Sequence, residues 1–286
     1  MTKLSNHPFF QRLNKIPIKL SHDTLDRSDL ELLAIDTYGT KRPEQAYSVI
    51  TKRDFIHVYT AVSPAGSFTS IQKNDEAESR DRKPFVFPLS VSKSKLYLHD
   101  GLNNAHLFHV IVDKRNGKID SAEILRARVD VEPRYLPPPA WLLAEKNTTP
   151  VEEWESGVNI CSNSARIRLL TLGEAARFQR GTFTSNTSDA MYVLNKLPHA
   201  IMGAYFADQS IPALFSYRRA SDEVSYSDHA IGPFASAGIT AGIRRYTHRF
   251  NSFQLGATLA QRPQLEHRAV RDLVHGVQSW RRPHAA

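Results

Sequence analysis

Apolar positions in the first half of the chain fall in short runs with strand character. Leu32-Leu33-Ala34-Ile35-Asp36 is a brief apolar run ending in a carboxylate, and it reads as a buried strand that delivers Asp36 to its end. Gln45–Ile50 and Phe55–Val62 follow as two further strands, supported by their β-branched and aromatic content. His106–Val112 and Lys118–Leu125 flank Asn116-Gly117. Both of those turn residues tolerate positive φ, so the segment predicts a hairpin. His106 and His109 have a spacing that suggests a metal site, but on a strand they fall on opposite faces and are set aside as ligands. Residues 1–29, polar and mixed, read as an N-terminal arm, with a short helix near Leu25–Leu32.

The second half changes period. Ser164–Arg180 predicts a helix with Ile167, Leu170 and Phe178 on one side and Gly181 as its stop. A second helix starts at Thr187-Ser188-Asp189 and buries Met191, Leu194, Ile201 and Tyr205, with Pro198 kinking or splitting it. Ala213–Arg218 reads as a strand. Ile243, Tyr246, Phe250, Phe253 and Ala257 then recur at helical spacing behind a Gly-rich loop, with Thr240 as the expected cap. Arg245 and Arg249, four apart, share a different face of that helix. Leu265, Ala269, Leu273 and Val277 mark a last helix with a basic outer face. The charged stretch 72–84 and the connection from Pro137 to about Gly157 are irregular. The pattern is α+β, strand-rich first and helix-rich after. We expect a main domain over 30–260, with a C-terminal helix and tail, 261–286, packed on it.

Composition narrows the partners. The chain has 286 residues and a formal charge of +8, which favours an anionic partner, nucleic acid before acidic membrane. Cys161 is the only cysteine, so neither an intramolecular disulfide nor a cysteine-based zinc cluster can form. Residues 1–19 lack the continuous apolar stretch of a secretory signal, and no apolar run is long enough to span a membrane, so the expected location is the cytoplasm. The Gly-rich loop running into a helix with arginines is a ready phosphate site, since amides and guanidinium groups converge there.

Four segments in order resemble the catalytic module of the ribonuclease II and ribonuclease R family, the RNB domain. They are Ala34-Ile35-Asp36 with Glu44-Gln45-Ala46-Tyr47-Ser48; Phe87-Pro88 to Leu98 and the Asn116-Gly117 hairpin; Asp189-Ala190-Met191 to Asn195 with Pro212–Phe215; and Gly238 to Arg249. The resemblance covers roughly 30–260 and implies an RNB-like fold, a mixed sheet packed against helices, without the flanking oligonucleotide-binding barrels. It also implies a single-stranded RNA 3′ end as the partner, with Arg244 on a phosphate and Arg245, Tyr246 and Arg249 beside it. No DNA or membrane partner is expected.

The family holds two divalent ions on four aspartates, which polarise the phosphate and activate water. Carried over, those positions are Asp36, Arg42, Glu44 and Gln45 here. A fixed cation and a neutral amide replace two carboxylates, so no metal and no cofactor are expected; Mg²⁺ enters only if hydrolysis persists. Arg42 either faces RNA phosphate directly or pairs with Asp36 and Glu44 to keep the old site folded.

Three readings stand. The first is an RNA-binding protein on a degenerate nuclease fold. The second is a residual 3′–5′ exoribonuclease with an atypical metal site. The third is a transferase reusing the groove for an aminoacyl-tRNA acceptor end. Candidate acid–base groups are Asp36, Glu44, Asp189 and His248.

Overall fold

Five strands account for the first half of the fold: β1 (Ile18–Asp36), β2 (Gln45–Thr51), β3 (Phe55–Val62), β4 (Gly101–Asp113) and β5 (Ile119–Tyr135). The computed structural model describes residues 16–36, 43–64, 97–113, 119–135, 187–218, 224–231, 236–240, 242 and 245–280. The charged stretch 72–84, Cys161, the Asn116-Gly117 turn and the helix expected over Ser164–Arg180 lie outside them.

The five strands close into a barrel in sequence order. Successive neighbours are antiparallel, whereas β1 and β5 pair in parallel from Ile18↔Ala122 to Asp36↔Tyr135. Geometry requires this, because an up-and-down run of five strands has its first and last strands pointing the same way. Leu30, Leu32, Ala34, Ala46, Tyr59, Ala61, Ala105, Leu107, Leu125, Ala127, Val129 and Val131 form one buried cluster. Residues of all five strands meet in it, as they do only inside a closed barrel. The expected strand at 32–36 is thus the last part of a much longer one, and the helix expected over Leu25–Leu32 is strand. Irregularities between Ser21 and Thr24 and between Arg27 and Leu32 reset the alternation of side chains. The second is held locally: Asp26 accepts from the Ser28 amide at 3.0 Å, and Arg27 pairs with Asp29 at 2.9 Å.

On the second half the chain forms α1 (Thr187–Asp208), β6 (Phe215–Arg218), β7 (Val224–Ser227), α2 (Tyr246–Leu259) and α3 (His267–Trp280). Pro198 lies within α1 without splitting it. The proline removes one helical bond, but Leu194, Leu197, Ile201 and Met202 around it are fully buried, and that packing outweighs the loss. Two compact units divide at Pro198: Ile16–Val62 with Leu98–Leu197, and the unit that contains Pro198–Ala286. In the latter, Leu214, Tyr226, Tyr246, Phe250, Val270 and Val274 form the core, and the β6–β7 hairpin is tied to α3 where Arg271 donates to Asp228 at 3.2 Å. No described helix is long and apolar enough to cross a membrane.

Two histidines of β4 are held neutral. His106 is buried at 2% exposure, and burial, reinforced by the Arg126 charge, pushes it down to about 4. His109 shares a hydrogen with His57 at 3.0 Å and stacks on Tyr59 at 4.3 Å. Burial, helped by the charges of His57, Arg27 and Lys52, pushes it down to about 4 as well. An unfolded histidine binds its proton near 6.5, whereas folded His106 binds it only near 4. Between those values the unfolded state takes up more protons, so stability falls as pH drops. For His106 the loss is about 3 kcal/mol. We expect the urea midpoint to fall between pH 7 and about pH 4.5. His106→Gln protein should lose less over the same interval, and an unchanged pH dependence in that variant would count against the assignment.

Candidate nucleic-acid interface

Barrel closure sets the chemistry at one end of the first unit. Asp36 ends β1, and Leu33 of β1 pairs with Tyr47 of β2. That pair brings the end of β1 beside the start of β2. Glu44 is buried at 5% exposure. Next to it, the Tyr47 hydroxyl donates to the Gln45 side-chain oxygen at 2.5 Å and lies the same distance, 2.5 Å, from the side-chain oxygen of Asn195 on α1. Two segments that carry the resemblance, 44–48 and 189–195, therefore meet, although they lie far apart in sequence. The segment is further pinned where the Leu98 amide donates to the Pro43 carbonyl at 2.9 Å.

A pair of hard divalent ions needs several anionic oxygens at this end. Gln45 offers a neutral amide oxygen that already accepts a hydrogen bond. Of the two carboxylates in these segments, the Glu44 side chain is described and buried. Arg42 lies outside the described residues, as does Arg244. The side chains of Asp36 and Asp189 lie outside them too; the Asp189 backbone is in the first turn of α1.

The second unit organises the arginine segment differently from expectation. α2 begins at Tyr246, so Arg245 is its N-cap, in an extended conformation with no side-chain capping bond. Thr240 does not cap the helix. Its hydroxyl instead lies 2.7 Å from His199 Nε2. Arg245 is exposed, while Arg249 is partly buried. Burial holds the Arg249 guanidinium below its ordinary pKa, with Tyr246 opposing that effect. Tyr246 belongs to the core, at 4% exposure.

His248 is buried too, standing edge-on to His199 with ring centroids 5.1 Å apart. It packs directly against Gly238. A Cβ at position 238 would lie 2.4 Å from His248 Nε2, so only glycine fits. Asn251, fully buried on α2, works as a polar bolt. It accepts from the Leu214 amide at 2.9 Å, and its side-chain NH₂ donates to the carbonyls of Leu214 and Gly238, each at 3.0 Å. The Ala237 amide donates to the His199 carbonyl at 3.0 Å, and Ser216 donates its amide to the Ser236 carbonyl at 2.7 Å. His199 and Asn251 escaped sequence reading because nothing local distinguishes them from ordinary core polar residues.

The fold is α+β and RNB-like, as its likeness to solved structures shows. No protein-family model matches the chain. No curated protein matches it either. Among solved structures it is similar to an active-site mutant of the Dss1 exoribonuclease from Candida glabrata, with a TM-score of 0.65 and 13% identity over 90% of this chain and 46% of that one. It is also similar to Mycoplasma genitalium RNase R in complex with ribose-methylated single-stranded RNA, at 0.62 and 12% over 96% of this chain and 60% of the other. The yeast pseudonuclease Ssd1 follows at 0.61 and 11%, over 94% and 44%. The chain thus spans roughly half the length of these neighbours. At such identities the likeness is one of fold.

The Gly238–His248 contact makes a direct prediction. Gly238→Ala should destabilise the protein by about 1–3 kcal/mol, because a packed ring rather than a flexible side-chain end must move. Thermal melts would measure this, and adding His248→Ala should recover part of the loss. Equal stability of Gly238→Ala and wild type would show that the contact is slack.

Proposed function

We propose that this chain grips the single-stranded 3′ end of an RNA without hydrolysing it. The observation that carries the reading is Gln45: a neutral amide, already hydrogen-bonded to Tyr47, stands where the resemblance implies a metal-binding carboxylate. The formal charge of +8 and an exposed Arg245 at an uncapped helix start supply the attraction for phosphate. The neighbours lend support from both sides, one being an RNase R bound to single-stranded RNA and another a pseudonuclease. In this reading Arg244, Arg245 and Arg249 hold the backbone, and Arg42 occupies the place of a metal. The acceptor end of a tRNA belongs to the class of RNA ends that such a site takes.

Labelled single-stranded RNA should stay intact with Mg²⁺ or Mn²⁺ present. Processive shortening that disappears in Asp36→Asn protein would restore the nuclease reading.

Binding should weaken with salt, since each phosphate contact releases counterions. Arg244→Ala and Arg245→Ala should each lower affinity and flatten the slope of log K against log salt by about one unit. Circular dichroism would check that both variants fold. Unchanged affinity and slope in well-folded variants would overturn the assignment.

A further inference from the structure

We propose that His57 and His109, on neighbouring strands of the barrel, form a binding site for a divalent transition-metal ion, Cu²⁺ foremost. The site stands apart from the RNA-binding reading and does not depend on it. Side chains alternate faces along a strand, so His57 and Tyr59 of β3 share one face. Tyr59 pairs with His109 of β4, which brings His109 onto that face as the diagonal neighbour of His57. The objection to His106 with His109 as ligands holds for that couple alone. His106 lies on the other face of β4, and the next strand supplies the partner.

The two rings meet through nitrogen. His57 Nδ1 lies 3.0 Å from His109 Nε2, with the ring planes 19° apart and the centroids 5.3 Å apart. The rings are thus edge to edge in nearly one plane, and a shared hydrogen fills the gap between them. Two imidazoles bound side by side to one ion at about 2.0 Å hold their nitrogens roughly 2.8–3.3 Å apart. The observed spacing lies inside that range, so an ion enters when the rings tilt, without the strands parting. The ion takes the place of the shared hydrogen, which moves to the outer nitrogen of its own ring.

The surroundings suit this arrangement. Tyr59 stacks on His109 at 4.3 Å and steadies the plane of that ring. Glu123 Oε2 stands 3.9 Å from His109 Nδ1, the nitrogen turned away from His57, and its charge favours a cation beyond the ring. Burial helps keep both rings in the neutral form that a metal binds. Two cations oppose the ion. Arg27 sits over Tyr59 at 5.1 Å but is paired with Asp29, and Lys52 is exposed to screening solvent. Among the described residues no group of three histidine, cysteine or carboxylate ligands forms. Water therefore fills the remaining positions, and imidazole nitrogen with water is a donor set that Cu²⁺ takes ahead of Ni²⁺ and Zn²⁺.

A hydrogen-bonded pair that only steadies the barrel predicts lost stability on mutation and no change in metal uptake. The discriminating experiment titrates Cu²⁺ alone into the full chain in a non-coordinating buffer, read by electron paramagnetic resonance and thermal melts. We expect wild type to take up one equivalent with the spectrum of two nitrogen donors, and to gain a higher thermal midpoint that a chelator reverses. His57→Gln and His109→Gln should each bind about tenfold or more weakly, and the double variant no worse than either, because one nitrogen alone does not hold the ion. His106→Gln should bind as wild type does. His57 is only half-buried, so His57→Gln keeps the test open if His109→Gln fails to fold. Uptake of unchanged strength in His57→Gln, an equal loss in His106→Gln, or a wild-type spectrum without two nitrogens would overturn the inference and leave the RNA reading untouched.

Discussion

The parallel pairing of β1 with β5 is the constraint on which the first unit depends. With five strands in sequence order, closure is possible only through one parallel seam, and that seam runs from Ile18↔Ala122 to Asp36↔Tyr135. It gathers Leu30, Leu32 and Ala34 of β1 into one core with Leu125, Ala127, Val129 and Val131 of β5. It also fixes where β1 stops. Because Leu33 opposes Tyr47, the end of β1 arrives beside the start of β2.

Specificity of packing in the second unit comes from polar groups instead. Asn251, Gln254, His199 and Thr240 are all buried, and each holds backbone or side chain from another element. Asn251 stands in for a missing strand, since its side chain makes the pair of bonds to Leu214 that a neighbouring backbone would make. Buried amides of this sort are costly when unsatisfied and orienting when satisfied. They let α2 lie against the irregular backbone around Leu214 and Gly238.

Much of the fold is legible in the residues themselves. β3, the paired strands around Asn116-Gly117, α1 and the buried face of α2 all follow from apolar periodicity. Phe250 and Ala257 were expected to be buried and are. β1 was not legible as a whole. Two irregularities reset its alternation, and charged residues between them, Asp26, Arg27 and Asp29, satisfy one another locally while looking like a loop in sequence. The start of α2 was misplaced for a related reason: Thr240 has the chemistry of a cap, but His199, 41 positions away, claims its hydroxyl. The substitution of Gln45 was visible through the resemblance, whereas its engagement with Tyr47 required the strand pairing and α1 to be in place.

The barrel seam has a consequence for how the chain comes together. Its pairs join residues roughly a hundred positions apart, as in Ile18↔Ala122, while the other strand pairs are much more local. Contacts of such long sequence separation form late, because the entropy of closing the loop is lost before the contacts repay it. During synthesis from the N-terminus, β1 emerges first and then waits, its edge unpaired, until β5 has left the ribosome. Docking of β1 onto β5 is thus the strand pairing that closes the longest loop in the barrel.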